Sequence, residues 1–197
     1  AVDHFIKQQF IPTASLEHIA HSPLAMAKLL QQPGVDLNKT DTKGKNLFDQ
    51  FFNFSFYSNK DDKLASFKLL VDKFIEEKQL TFDLVKKILR SPFSEGQIYI
   101  LKKNIFQDLT EKQQLECFQE LYSSAFSKHN IPLLIEQGFN LNTKNEQGNT
   151  LLIEAIIAGD KRKILDLLTW GAELPENYDL VNNKGTETNF GTFLANL

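Results

Sequence analysis

The apolar pattern of this chain is helical in period and short in reach. Leu151, Leu152, Ala155 and Ile156 recur at three- to four-residue spacing, and Ile164, Leu167 and Leu168 do so after a break at Gly159-Asp160. Two short amphipathic helices are the simplest reading. The same pattern predicts helices over Leu47–Phe56 and Leu64–Phe74, Phe82–Leu89 and Ile98–Leu101, and Leu115–Phe126 and Ile131–Ile135. An N-terminal pair is expected around Leu16–Ala20 and Leu24–Leu30. Pro132 falls in a first helical turn, where a missing N–H costs little. A helix of about 9–12 residues cannot bury its apolar face alone, whereas stacked pairs can. Strand-like alternation is nearly absent, so an all-α class is expected.

Three stretches between these segments look alike. They are Leu37–Leu47, Leu141–Leu151 and, more weakly, Leu180–Thr186. Each has Asp or Asn three residues before Gly, which suits a tight turn: the Asx side chain bonds nearby backbone and Gly takes positive φ. Asp41 and Asn145 stand 104 residues apart, close to three repeats of about 33.

The segment Asn145-Glu146-Gln147-Gly148-Asn149-Thr150-Leu151-Leu152, continued by Ala155, Gly159, Leu167-Leu168 and Gly171-Ala172, resembles an ankyrin repeat. That family has an Asp-x-x-Gly-x-Thr turn, Pro-Leu-His opening the inner helix, Gly between helices, and Leu-Leu before a closing Gly-Ala-Asp. Leu151 stands here for the Pro and Ile153 for the His. Lys163 and Asp166 fall near positions usually apolar, so a rotated or frayed outer helix is expected. Partial matches occur at Leu133–Asn142 and Leu29–Asn38, while 76–113 shows helix pairs without the Gly signatures and is expected to be less protected from hydrogen exchange than 149–169. The resemblance implies an ankyrin-type solenoid of about five helix pairs. Residues 1–174 would form the degenerate array, clearest at 142–174, and 175–197 a capping segment or the start of a further repeat. Gly159 should adopt a left-handed conformation, and Ala155 should lie where backbones approach. The Lys-, Asn- and Phe-rich repeats are similar to those of effectors from intracellular bacteria.

Composition narrows the function. Apolar residues make up 42% and charged residues 24%, so global disorder is excluded. No 18-residue apolar window occurs, which excludes a transmembrane helix. Net charge is −3, and neither half carries the basic footprint of a nucleic-acid binder. The single cysteine, Cys117, excludes a disulfide framework and fits an intracellular, reducing compartment, which would be the host cytosol for a secreted bacterial effector. The chain begins with Ala, as an excised or processed fragment would.

Catalytic signatures are missing: no Gly-x-Ser-x-Gly, His-Glu-x-x-His, Walker or Gly-x-Gly-x-x-Gly pattern occurs. Cys117 reads either as a nucleophile or as a packed core thiol. Glu116 and Glu120 would raise its pKa, which favours the core. His18 and His21 have a spacing that can hold a metal, but no third ligand follows. The run Phe51–Tyr57 reads as core that splays neighbouring repeats, with an exposed aromatic patch as the alternative. Lys60–Lys63 reads as a solvated loop before a helix.

The function expected is therefore non-catalytic recognition of another protein by a monomer, with no cofactor and no metal. A targeting or substrate-presenting domain of a larger enzyme is the alternative. The resemblance places the variable contact positions at Thr42, Lys43 and Lys45 on one turn. It places Lys144, Glu146, Gln147, Asn149 and Ile157 on another turn and its inner helix, and Trp170 before the closing Gly. Trp170 reads either as an exposed anchor or as the last core residue, packed on the tail 175–197.

Overall fold

A computed structural model describes residues 22–32, 35–37, 40, 44–53, 59–124, 127–174, 180–181 and 187–188. Nine α-helices lie among them: α1 (Pro23–Leu30), α2 (Leu47–Asn53), α3 (Lys60–Glu76), α4 (Phe82–Arg90), α5 (Ser94–Leu101), α6 (Glu111–Ser123), α7 (Ile131–Glu136), α8 (Leu151–Ala158) and α9 (Lys161–Thr169). Short 3-10 turns at Asn104–Asp108 and Lys128–Asn130 lead into α6 and α7. The class is all-α, apart from a two-residue antiparallel pairing in which Leu180 stands opposite Thr188.

The helices contact one another in a repeating order. Within pairs, α4 packs on α5, α6 on α7, and α8 on α9. Between pairs, α1 meets α3, α3 meets α5, and α5 meets α7, while α4 meets α6. First helices α4 and α6 and second helices α1, α3, α5 and α7 therefore line up in two layers, the second built from neighbour to neighbour.

Local chemistry sets the boundaries. Thr81, Thr110 and Thr150 cap α4, α6 and α8, each accepting a backbone N–H three residues on. At the start of α2, Asn46 Oδ1 accepts from Asp49 N–H (2.9 Å) while Asp49 Oδ2 accepts from Asn46 N–H (3.1 Å). Lys60–Lys63 is not a solvated loop but the first turn of α3. Asn59 caps it, and Asp61 and Asp62 favour the positive end of the helix. In 76–113, where Gly signatures are missing, Lys78 takes the left-handed role after α3 at φ 56°. The expected fraying of α9 does not occur; the helix runs unbroken with Asp160 as its cap.

The core runs through both layers. Phe48, Phe51, Phe67 and Phe74 are fully buried and meet largely edge to face, with Phe48 and Phe67 centroids 5.8 Å apart. Phe51 thus joins the core, and Phe52 packs half-buried against it; residues 54–58 of the aromatic run lie outside the described residues. Lys63 reaches into this cluster. Its ammonium lies 4.4 Å from the Phe93 ring centre, and burial lowers its pKa against the opposing charge of Glu95.

Candidate partner-binding surface

The turn before α8 is built by Asn145. Its Oδ1 accepts from the N–H groups of Gln147 and Asn149, both at 2.9 Å, and its Nδ2 donates to Glu154 on α8. Gly148 closes the turn at φ 79°, as Gly44 does at φ 71° in the earlier one. This leaves Lys144, Glu146 and Gln147 exposed and Asn149 half-buried. Glu146 is not fully available, because Lys112 of the preceding pair holds it at 2.8 Å. That bond lowers the carboxyl pKa of Glu146 and raises the ammonium pKa of Lys112. Lys45 is half-buried, and Thr42 and Lys43 lie outside the described residues.

Ile157 stands in the last turn of α8 and is 64% exposed. Gly159 then turns the chain at φ 67°, and Ala155 is buried beneath the helix. Along the inner layer, by contrast, cross-helix ion pairs consume the charges. Lys87 of α4 pairs with Asp49 of α2. Lys86 and Arg90 of α4 pair with Glu116 and Glu120 of α6, at 2.9 Å and, through Arg90 Nε, 2.8 Å. This ladder has no sequence signature, since its partners lie 30 to 38 residues apart.

Trp170 caps α9 and is half-buried. It meets Phe118 and Tyr122 of α6 edge-on, with centroids 6.3 and 6.2 Å away. The packing partner is thus the preceding pair; the tail that would have served as partner is largely outside the described residues. Tyr122 OH donates to Asp166, which also pairs with Lys128. Burial, then Asp166, raises the Tyr122 pKa. This explains the two polar residues of α9 near apolar positions: Asp166 answers Tyr122 and Lys128, and the Lys163 ammonium lies 5.3 Å from the Tyr122 ring centre.

Cys117 is fully buried, and burial, then Glu116 and Glu120, pushes its thiol up to about 12. It is a core group with almost no thiolate at neutral pH. His18 and His21 lie outside the described residues. Ser94 Oγ lies 3.0 Å from His129 Nε2. Asn130 Nδ2, at 3.5 Å from the same hydroxyl, ties the pair into a link between successive helix pairs. Among the described residues no helix is long and apolar enough to cross a membrane.

No family model matches the chain, and no solved structure matches it. A stretch of 120 residues, 61% of the chain, is 25% identical to a protein of Dictyostelium discoideum described as probable polyketide synthase 5. The matched stretch spans 4% of that protein's length.

Proposed function

We propose that this chain is a degenerate ankyrin-type solenoid that binds a partner protein without catalysis, through its turn tips and inner helices. The observation that carries this reading is the recurrence of contacts between successive units. Side-chain links join Ser94 to His129, Gln97 to Asn130 and Lys112 to Glu146, while Asn142 accepts the Glu173 N–H at 2.9 Å. Their separations of 35, 33, 34 and 31 residues match one repeat of about 33. Such an array stacks its units along one axis and leaves tips and inner helices facing solvent. Lys144, Gln147 and Ile157 are the exposed residues of the clearest unit that best fit partner contacts.

Affinity capture from cytosol with the whole chain tests this. Retention of a partner by the parent chain, lost with Ile157→Asp and weakened with Lys144→Glu, is the expected result. Equal retention by parent and both variants removes this surface from the function.

The alternative reading is a targeting or substrate-presenting domain of a larger enzyme. One observation favours it: the matched stretch covers only 4% of a far longer protein named as a probable synthase. The full open reading frame separates the two. A catalytic domain beside the array supports the alternative, and a bare array supports the first reading.

A further inference from the structure

Lys63 is the one charged residue among the buried described residues; it is 9% exposed. It stands in the first turn of α3, and its ammonium lies 4.4 Å from the Phe93 ring centre and 5.9 Å from that of Phe51. Both rings are buried. Among the described residues no ion pair and no hydrogen bond reaches this ammonium. Glu95, the carboxylate whose charge it feels, is bonded instead by Lys60 at 3.3 Å. Lys28, Lys102 and Lys144 also have no ion pair among the described residues, but they are exposed, and water solvates them. Burial without an acceptor is what sets Lys63 apart from them.

The nitrogen is nevertheless within reach of solvent. Among the described residues, Ser66 Oγ is the one side-chain nitrogen or oxygen both shut off from solvent and without a hydrogen-bond partner. Lys63 Nζ has no such partner either, so its tip is not shut off. Desolvation of the stem against the rings disfavours the charged form and lowers the pKa. An ordinary lysine is neutral to only about one part in a thousand near pH 7.5. An amine desolvated by apolar neighbours keeps a larger neutral fraction, and that is the usual way in which a lysine becomes a nucleophile.

We infer that Lys63 is a covalent modification site, the preferred acyl acceptor of this chain, whose ε-amine takes an acyl group from a thioester at the edge of the Phe51–Phe93 cluster. The lone pair of the neutral amine attacks the thioester carbonyl carbon, and a C–N bond forms as the C–S bond breaks. The sulfur leaves with the bonding pair, the nitrogen gives up one proton, and the products are an amide and a thiol; nothing is oxidised or reduced. The environment selects acyl transfer over other lysine chemistry. Methylation or a protonated imine would keep a positive charge against the rings without an acceptor, whereas an amide removes that charge and the cost of burying it.

Limited acetylation of the whole folded chain with the acetyl thioester of N-acetylcysteamine, near neutral pH, tests this. Peptide mass spectrometry reads the occupancy of each lysine against time. Lys63 is expected to acquire its acetyl group about fivefold faster than Lys28, Lys102 and Lys144. In urea, where the rings no longer surround it, its rate should fall to theirs. Release of free thiol should show a fast phase in the parent chain, and Lys63→Arg should remove that phase while leaving the slower remainder unchanged. Arg is as good a helix former as Lys and keeps the charge, so circular dichroism should show the variant folded. Acetylation of Lys63 no faster than that of the three exposed lysines overturns the inference, because burial then only shields the amine. A preference that persists in urea, or a fast phase that survives Lys63→Arg, overturns it as well.

Discussion

At the scale of single residues, environment overrides type. Lys63 is a charged residue almost wholly inside, resting on the Phe93 ring, while Ile157 and Leu165 are apolar residues in solvent. Cys117 shows the consequence most measurably. Burial first, then Glu116 and Glu120, holds its thiol up to about 12 against an ordinary value of 9.0. In the unfolded chain the thiol ionises near its ordinary value, so between about pH 9 and about pH 12 the unfolded state binds fewer protons than the native one. Stability from this group is intact below that window and is lost as pH rises through it, with a slope approaching about 1.4 kcal/mol per pH unit. Urea unfolding of the parent chain and Cys117→Ala at about pH 8 and about pH 10 checks this. The parent's advantage should shrink by about 1 kcal/mol between those conditions. A constant advantage would mean that the native thiol ionises normally.

At the scale of elements, the junction between the α4–α5 and α6–α7 pairs shows which interactions hold neighbours together. Two kinds of bond cross it. The Arg90–Glu120 ion pair lies on the surface, with the Arg90 side chain 71% exposed, and Lys86–Glu116 is partly buried; water and salt screen an exposed pair such as Arg90–Glu120, and it contributes little. Gln97 lies wholly inside. Its Nε2 donates to the carbonyl of Leu89 at 2.9 Å and to that of Ser91, and its Oε1 accepts from Asn130 Nδ2 at 2.7 Å. Gln97→Leu would leave buried polar groups with fewer partners, at about 1–3 kcal/mol each. Its melting temperature should fall by several degrees and stay down in added salt, whereas Arg90→Ala should scarcely move it. The reverse order would place the cohesion of the junction in its ion pairs. This junction also marks the limit of what the sequence made legible. Helix existence followed from apolar spacing. The turn at Asn145 and the left-handed Gly159 were likewise readable, because local chemistry alone determines them. Gln97, the Lys63 pocket and the ion-pair ladder were not readable, because each depends on residues brought together from distant parts of the chain.

At the scale of the whole molecule, the arrangement of contacts makes a claim about cooperativity. From α4 to α7, each helix touches its pair partner and the corresponding helix of an adjacent pair. A break at one junction therefore need not spread, since stability in such a stack is roughly a sum of unit terms and nearest-neighbour terms. Trp170, the single Trp, is placed to detect this. It binds the end of α9 to Phe118 and Tyr122 of α6, so its emission follows the last junction, whereas far-ultraviolet circular dichroism follows every helix. In the native parent chain its emission should be shifted to the blue and only partly open to iodide, since the ring is half-buried against two aromatics. Gln97→Leu weakens a junction that Trp170 does not touch. In that variant the dichroism transition in urea should broaden or divide, with an early phase that leaves Trp170 emission unchanged. The emission midpoint itself should stay near that of the parent. If both probes move together to the same lower midpoint, the pairs unfold as one block, and the neighbour-to-neighbour account of this molecule's stability fails even though its helices are placed correctly.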